Sequence, residues 1–263
     1  MRASGVEEGG CPGYCWSMTS KPVAIVSDIH GNLPALTAVL EDIERQGIEE
    51  RVCLGDVVGY GARPRECIEL LKASHFQVIL QGNHDAYVSA DIDPLDVSAE
   101  TLRAVRWTRD NLGAEERRWL GALPLTAQGE GYELVHASLP RPETWGYVLE
   151  PGAAAWHFAH QGAPLCFNGH SHQPMMFVEE GDEALMVNIT SLEPVWPGRK
   201  QLINVGSVGQ PRDRDERACY VIYRRAEQDI QWRRVPYDIS AAQKAILEAG
   251  LPARHAQRLA VGR

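Results

Sequence analysis

The sequence has no apolar run approaching the roughly 20 residues a membrane-spanning helix needs, so no part of it reads as a membrane span. Met1 to Trp16 also lack the basic start and apolar centre of a secretion signal. Basic residues are in the minority: 26 Lys and Arg against 35 Asp and Glu give a formal net charge of -9. That balance argues against a surface built for nucleic-acid backbone, which needs a basic face, and so against long nucleic acids as partners. It leaves room for a small phosphate ester held by metal ions, because bound cations dominate their local field. Cysteine is sparse as well. Cys11 and Cys15 have the spacing of a metal clip, yet no second pair follows to complete a zinc site. Cys53 and Cys166 fall in predicted buried strands, where a free thiol behaves as a small apolar group, and a reduced, cytoplasmic protein is expected. Internal repeats are absent, and low complexity is confined to the N-terminal stretch.

What is present is a chain of 263 residues, 44% hydrophobic and 23% charged, which suits a globular protein with one large α/β domain or two small ones. Residues 1–20 carry Gly5, Gly9, Gly10, Pro12 and Gly13 and read as a disordered tail, with Met18 an alternative start. Pro22 to Ser27 is a short buried strand running into Asp28-Ile29-His30-Gly31-Asn32. Leu33, Leu36, Leu40 and Ile43 then recur at helical spacing, with Asn32 as N-cap and Pro34 in the first turn. Asp28 and His30, two apart on extended backbone, share a face where a strand ends and a helix begins, the place where open α/β sheets put their sites.

The pattern repeats. Val52-Cys53-Leu54 leads into the glycine-rich Gly55-Asp56-Val57-Val58-Gly59-Tyr60-Gly61, followed by a helix over Pro64 to Ala73. Phe76 to Leu80 leads into Gly82-Asn83-His84-Asp85. Three such units predict parallel strands. Ser98 to Leu123 reads as two helices, the first capped by Ser98 and ended by Gly113; Trp107 and Trp119 are core residues or line a lid. Arg103, Arg106, Arg109, Arg117 and Arg118 read as a solvated face. Tyr132 to Val135 delivers His136, and Leu165 to Asn168 delivers Gly169-His170-Ser171-His172. A hairpin over about 175–188, a strand at Gln201 to Val205, an antiparallel pair at Ala218 to Tyr223 and Ile230 to Val235, and helices over Ser240 to Leu259, broken at Gly250 and Pro252, complete the chain.

Five of the nine histidines, two aspartates and an asparagine thus gather at strand ends: Asp28, His30, Asp56, Asn83, His84, His136, His170 and His172. Buried together without compensation such groups are costly, whereas metal ions would satisfy their lone pairs. Imidazole, carboxylate and amide ligands without thiolate suit Mn, Fe or Zn.

Asp-x-His, Gly-Asp-x-x-Gly, Gly-Asn-His-Asp, His and Gly-His-x-His, in this order, resemble the calcineurin-like metallophosphoesterase superfamily. Gly206-Ser207-Val208-Gly209-Gln210-Pro211-Arg212-Asp213 further resembles the small bacterial YfcE-like phosphodiesterases. The resemblance spans Asp28 to Asp213 and implies a four-layer α/β/β/α sandwich. The expected layout is one domain over residues 21–236 with a helical insert at 98–123, and C-terminal helices, 237–263, packed on it. It implies two divalent transition-metal ions: Asp28, His30 and His172 hold the first, Asn83, His136 and His170 the second, and Asp56 bridges them. His84 would face the phosphate and donate a proton to the leaving oxygen or stabilise the transition state, with Asp85 orienting it. The implied reaction is hydrolysis of a small phosphodiester or phosphomonoester. Alternatives are a protein phosphatase or dinucleoside-polyphosphate hydrolase, whose Asp-Arg-Gly continuation after Gly-Asp is missing here, and a non-catalytic interaction module on the same fold, against which His84 argues.

Four further residues have two readings each. Asn32 and Arg212 touch substrate phosphate, or serve as helix cap and surface ion pair. Trp145 and Tyr147 stack on a base or aryl leaving group, or pack their loop. His75, His157, His160 and His255 read as ordinary histidines.

Overall fold

Strand β1 (Val23–Val26) alternates its side chains between two cores, and that alternation organises the molecule. The computed structural model describes residues 21–95 and 97–263; the expected tail, with Cys11, Cys15 and Met18, lies outside them. Ala24 and Val26 face a helical layer, where they meet Leu36, Val39 and Ile43 of α1 (Leu33–Arg45). Val23 and Ile25 face the opposite way, into a core shared with a second sheet. Successive strand residues point to opposite faces, so a continuous apolar run marks a strand covered on both sides.

β2 (Glu50–Cys53) pairs parallel with β1, α2 (Pro64–Ala73) follows it, and β3 (Val78–Ile79) pairs parallel with β2. The third strand is thus shorter than the expected Phe76 to Leu80. α3 (Asn83–Ser89), α4 (Ala99–Asn111) and α5 (Ala114–Gly121) come next. Gly113 does not end α4; it is the N-cap of α5. Trp119 packs against the helical core and Trp107 against a smaller cluster under the C-terminal helices, so both are half-buried packing residues. The arginines do more than solvate a face. Arg106 and Arg109 bind Asp93, and Arg117 binds Asp91, which pins the segment before α4.

β4 (Thr126–Gly129), β5 (Tyr132–Val135) and β6 (Leu165–Asn168) begin the second sheet, with α6 (Pro151–Phe158) between the last two. β7 (Met175–Glu180) and β8 (Glu183–Val187) form the expected hairpin. After β9 (Leu192–Pro194), β10 (Gln201–Asn204) enters parallel to β6. β11 (Ala218–Arg224) and β12 (Asp229–Val235) return to the first sheet as an antiparallel pair. The orders are β3-β2-β1-β11-β12-β9 and β4-β5-β6-β10-β7-β8. Leu134, Leu165, Phe167 and Ile203 fill the space between the sheets, while Val135, Cys166 and Leu202 face α6. The layers are therefore helix, sheet, sheet, helix, as expected. Truncating a fully buried ring such as Phe167 to alanine would cost about 3–5 kcal/mol. α7 (Ile239–Glu248) and α8 (Ala253–Leu259) close the chain. No helix among the described residues is long and apolar enough to cross a membrane. Cys53, Cys67, Cys166 and Cys219 are free and buried.

Candidate metal centre

The loops that leave β1, β2, β3, β5 and β6 meet at one end of the two sheets, where open α/β sheets place their ligands. They are bonded to one another through backbone. Asp28 N donates to Gly55 O at 3.0 Å, His30 N to Asp56 O at 2.9 Å, and Gly169 N to His136 O at 2.9 Å. Five of the eleven described non-glycine residues with left-handed backbone are Asp28, His30, Asp56, His170 and His172. Such backbone is uncommon outside glycine and persists only where its surroundings impose it. Gly82 has a steric reason to lack a side chain: a Cβ there would lie 2.2 Å from Asp56 Oδ1.

Each aspartate divides its two oxygens. Asp28 Oδ2 accepts the His170 amide at 3.0 Å, and Asp56 Oδ1 accepts the His84 amide at 2.8 Å. The remaining oxygens face the histidines. Asp28 Oδ1 lies 3.2 Å from His172 Nε2 and 3.9 Å from His30 Nε2. Asp56 Oδ2 lies 3.5 Å from both His30 Nε2 and His136 Nε2, so it faces two groups at once. Asp28, His30, Asp56 and His172 form one group able to hold a metal ion and Asp56, His136 and His170 a second, with ligand atoms within 4.8 Å of one another in each. Asn83 joins the second, its Oδ1 3.3 Å from His136 Nε2. All seven residues expected as ligands are thus brought together.

The donor set fits cations. Nδ1 of His30, His136 and His172 faces a carbonyl oxygen, of Val58 at 3.1 Å, Leu54 at 2.9 Å and Gln210 at 2.6 Å. A carbonyl only accepts, so Nδ1 carries the proton and Nε2 presents its lone pair inward. His30 Nε2 and His172 Nε2 then face each other at 3.1 Å, two lone pairs beside carboxylate oxygens. Asp28 Oδ1 and His170 Nε2 are buried without a hydrogen-bond partner. A cation resolves this repulsion and satisfies those atoms at the same time.

Electrostatics agree. Burial pushes His30 well below its usual pKa and His170 to about 3, the latter helped by His136. Burial alone would raise Asp28 and Asp56, but His172 lowers the first, and His136 and His84 the second. Burial would likewise lower His136, yet the Asp56 carboxylate lifts it to about 9. Proton and metal compete for the same nitrogen there.

His84 starts α3 beside this group, its ring edge-on to that of His30 with centroids 4.9 Å apart. Burial, with Arg212 next in the same direction, pushes it to about 4, so it is neutral at pH 7. Asp85 does not orient it. Its two oxygens accept the amides of Val58 at 3.2 Å and Gly82 at 3.0 Å, while His84 Nδ1 is buried with no partner. The carboxylate thus staples two loops.

A cleft of about 660 Å³ opens over the centre, lined by Asp56, Asn83, His84, His170, His172 and Arg212. Trp145 and Tyr147 form part of its wall, so the structure brings both to the site. Arg212 donates to Gln210 Oε1 at 3.0 Å and keeps its Nε buried and unpartnered. Asn32 does not face this cleft. Its Oδ1 accepts the Ala35 amide at 3.2 Å and its Nδ2 donates to Gly209 O at 2.8 Å, which makes it a helix cap and loop tie.

The family model of the calcineurin-like phosphoesterase superfamily domain matches residues 22–227. The chain belongs to this superfamily. As a member it is a phosphoesterase, a hydrolase. It is 38% identical to Uncharacterized protein MJ0912 of Methanocaldococcus jannaschii over 251 residues, 94% of this chain and 100% of that protein. The crystal structure of a metallophosphoesterase from Sphaerobacter thermophilus is similar at a TM-score of 0.80 and 37% identity, covering 92% of this chain and 99% of that one. Phosphodiesterase YfcE of Escherichia coli (strain K12), of the branch expected from sequence, is 25% identical over 174 residues, 62% of this chain and 94% of its own. A symmetrical bis(5'-nucleosyl)-tetraphosphatase of Coxiella burnetii is 33% identical over 122 residues, 44% of this chain and 41% of its own.

Two features of this phosphoesterase escape sequence reasoning. The carbonyls that fix the histidine tautomers, those of Leu54, Val58 and Gln210, carry no side-chain signal. Tyr60 lines the cleft, and its only sequence signal is its place between Gly59 and Gly61.

Proposed function

We propose that the cleft hydrolyses a small phosphodiester or phosphomonoester, with two divalent ions held by this cluster. Asp28, His30 and His172 would hold one, Asn83, His136 and His170 the other, and Asp56 would be shared by both. The supporting observation is Asp56 itself: one carboxylate oxygen at 3.5 Å from a histidine of each group can offset the repulsion of two neighbouring cations. Mn, Fe or Zn suits this donor set. Such ions, when bound, supply charge to phosphate oxygens and acidify water.

The chain's own residues do the rest. His84, neutral and at the cleft wall, donates a hydrogen bond from its ring N–H to the charge that develops on the leaving oxygen and so stabilises the transition state. Arg212 turns its spare guanidinium N–H groups to a phosphate oxygen. Trp145 and Tyr147 offer ring faces to an aryl or nucleoside leaving group. The free buried cysteines support a reducing compartment, the cytoplasm.

The test is turnover of aryl phosphate diesters and monoesters by Mn²⁺-loaded protein, with His84→Ala as control. No turnover of either ester by loaded wild type would overturn the reading and favour an interaction module. A second reading, hydrolysis of a dinucleoside polyphosphate, draws on the similarity to the tetraphosphatase. Adding diadenosine tetraphosphate to the panel separates the two.

A further inference from the structure

Tyr60 stands where aromatic contacts cross, and no role above uses them. Its backbone is left-handed, with φ 58°. Its ring centroid lies 4.3 Å from that of His84 and 4.7 Å from that of His30. The same ring meets His255 at 4.8 Å, and the guanidinium carbon of Arg212 sits 5.8 Å from its centroid. His255 is buried in α8, and its Nε2 lies 3.4 Å from the Glu100 carbonyl of α4. α8 lies beyond residue 227, where the match to the family model ends.

The imidazole of His84 has little else to fix its orientation. Its backbone is held by Asp56, but Nδ1 has no hydrogen-bond partner. The rotation of a histidine ring about its last bond is soft, so packing must choose it. Gly59 leaves room on one side, since a Cβ there would lie 2.4 Å from His84 Nδ1. Tyr87 is more distant, at 5.9 Å. Tyr60 provides the closest ring contact.

We propose that Tyr60 is the positioning residue for His84, and that His255 on α8 sets Tyr60 in turn. The C-terminal helix then acts on the reaction without touching substrate. The proposal rests on the reading of His84 as hydrogen-bond donor to the leaving oxygen.

Two readouts test it: kcat and KM on bis(p-nitrophenyl) phosphate with Mn²⁺, and long-range 1H–15N correlation of the His84 ring nitrogens in metal-free protein. Tyr60→Ala and His255→Ala should each lower kcat about 10- to 100-fold with little change in KM, as misplacement of a catalytic group does. Both should shift the His84 ring signals. Tyr60→Phe and His255→Phe, which keep a ring, should recover most of the loss. Unmoved His84 signals, an unchanged kcat, or a loss that the phenylalanine variants do not recover would overturn the proposal. Should Tyr60→Ala not fold, His255→Ala carries the same readouts from outside the cleft. A wild type that turns over no ester, while His84 signals move in both alanine variants, would leave the positioning intact and overturn the phosphoesterase reading instead.

Discussion

Tyr147 lies flat on the imidazole of His170, the centroids 4.0 Å apart and the planes 25° from parallel. At 54% exposure the tyrosine is only half covered, so one face serves the histidine and much of the ring remains open to the cleft. Such a stack contributes about 0.5–1.5 kcal/mol. Tyr147→Ala should therefore shift the urea midpoint only slightly and raise KM for an aryl diester several-fold, with kcat nearly intact. A KM equal to that of wild type would show that the ring only packs its loop.

Asp56 and His84 separate metal binding from transition-state stabilisation. Asp56→Asn should reduce the content of both metals on elemental analysis, because its Oδ2 faces both groups. His84→Ala should keep the metals and lose about 10²- to 10³-fold in kcat, the usual worth of one positioned hydrogen-bond donor to developing charge. Loss of metal in the second variant would reverse its assignment.

Asp85 is a structural carboxylate. Removing it leaves two buried amides, of Val58 and Gly82, without an acceptor, at about 1–3 kcal/mol each. Asp85→Ala should lower thermal stability accordingly, and Asp85→Asn, which keeps one acceptor oxygen, should lower it less. A variant as stable as wild type but inactive would return Asp85 to the role of orienting His84.

His157 gives a pH signature away from the site. Its Nδ1 accepts the Leu139 amide at 3.4 Å, its Nε2 is buried without a partner, and burial pushes its pKa to about 3. An unfolded histidine titrates near pH 6.5. Between about pH 6.5 and pH 3 the unfolded chain takes a proton that the folded one refuses. The contribution is complete above that window and is lost as pH falls, at up to about 1.4 kcal/mol per pH unit. His157→Gln, which retains an acceptor, should flatten the fall of the urea midpoint between about pH 6 and pH 4. Parallel curves would place the acid sensitivity elsewhere.

The metal cluster was legible in the sequence because each ligand follows a short apolar run, and the two stacked sheets bring those strand ends to one end of the molecule. The parallel β1, β2 and β3 were legible for the same reason. Asp85 was misread because adjacency in Asn83-His84-Asp85 says nothing of direction: on a helix start, neighbours point about 100° apart, and Asp85 turns back to the Gly82 amide. Asn32 had two readings, and its Oδ1 took the nearer donor, the Ala35 amide. His255 looked ordinary because its partner, Tyr60, lies 195 positions away in the chain, and no local pattern encodes that meeting. Helix α6 was not expected; proline suits its first turn, and Ala154 and Phe158 bury against the second sheet.

The left-handed backbone at Asp28, His30, Asp56, His170 and His172 has a last consequence. These conformations are imposed by amide-to-carbonyl ties such as Asp28 to Gly55 and His30 to Asp56, which involve no ion. Ligand aim thus depends on main chain as well as side chain, and breaking a tie such as His30 to Asp56 would turn a ligand away without touching it.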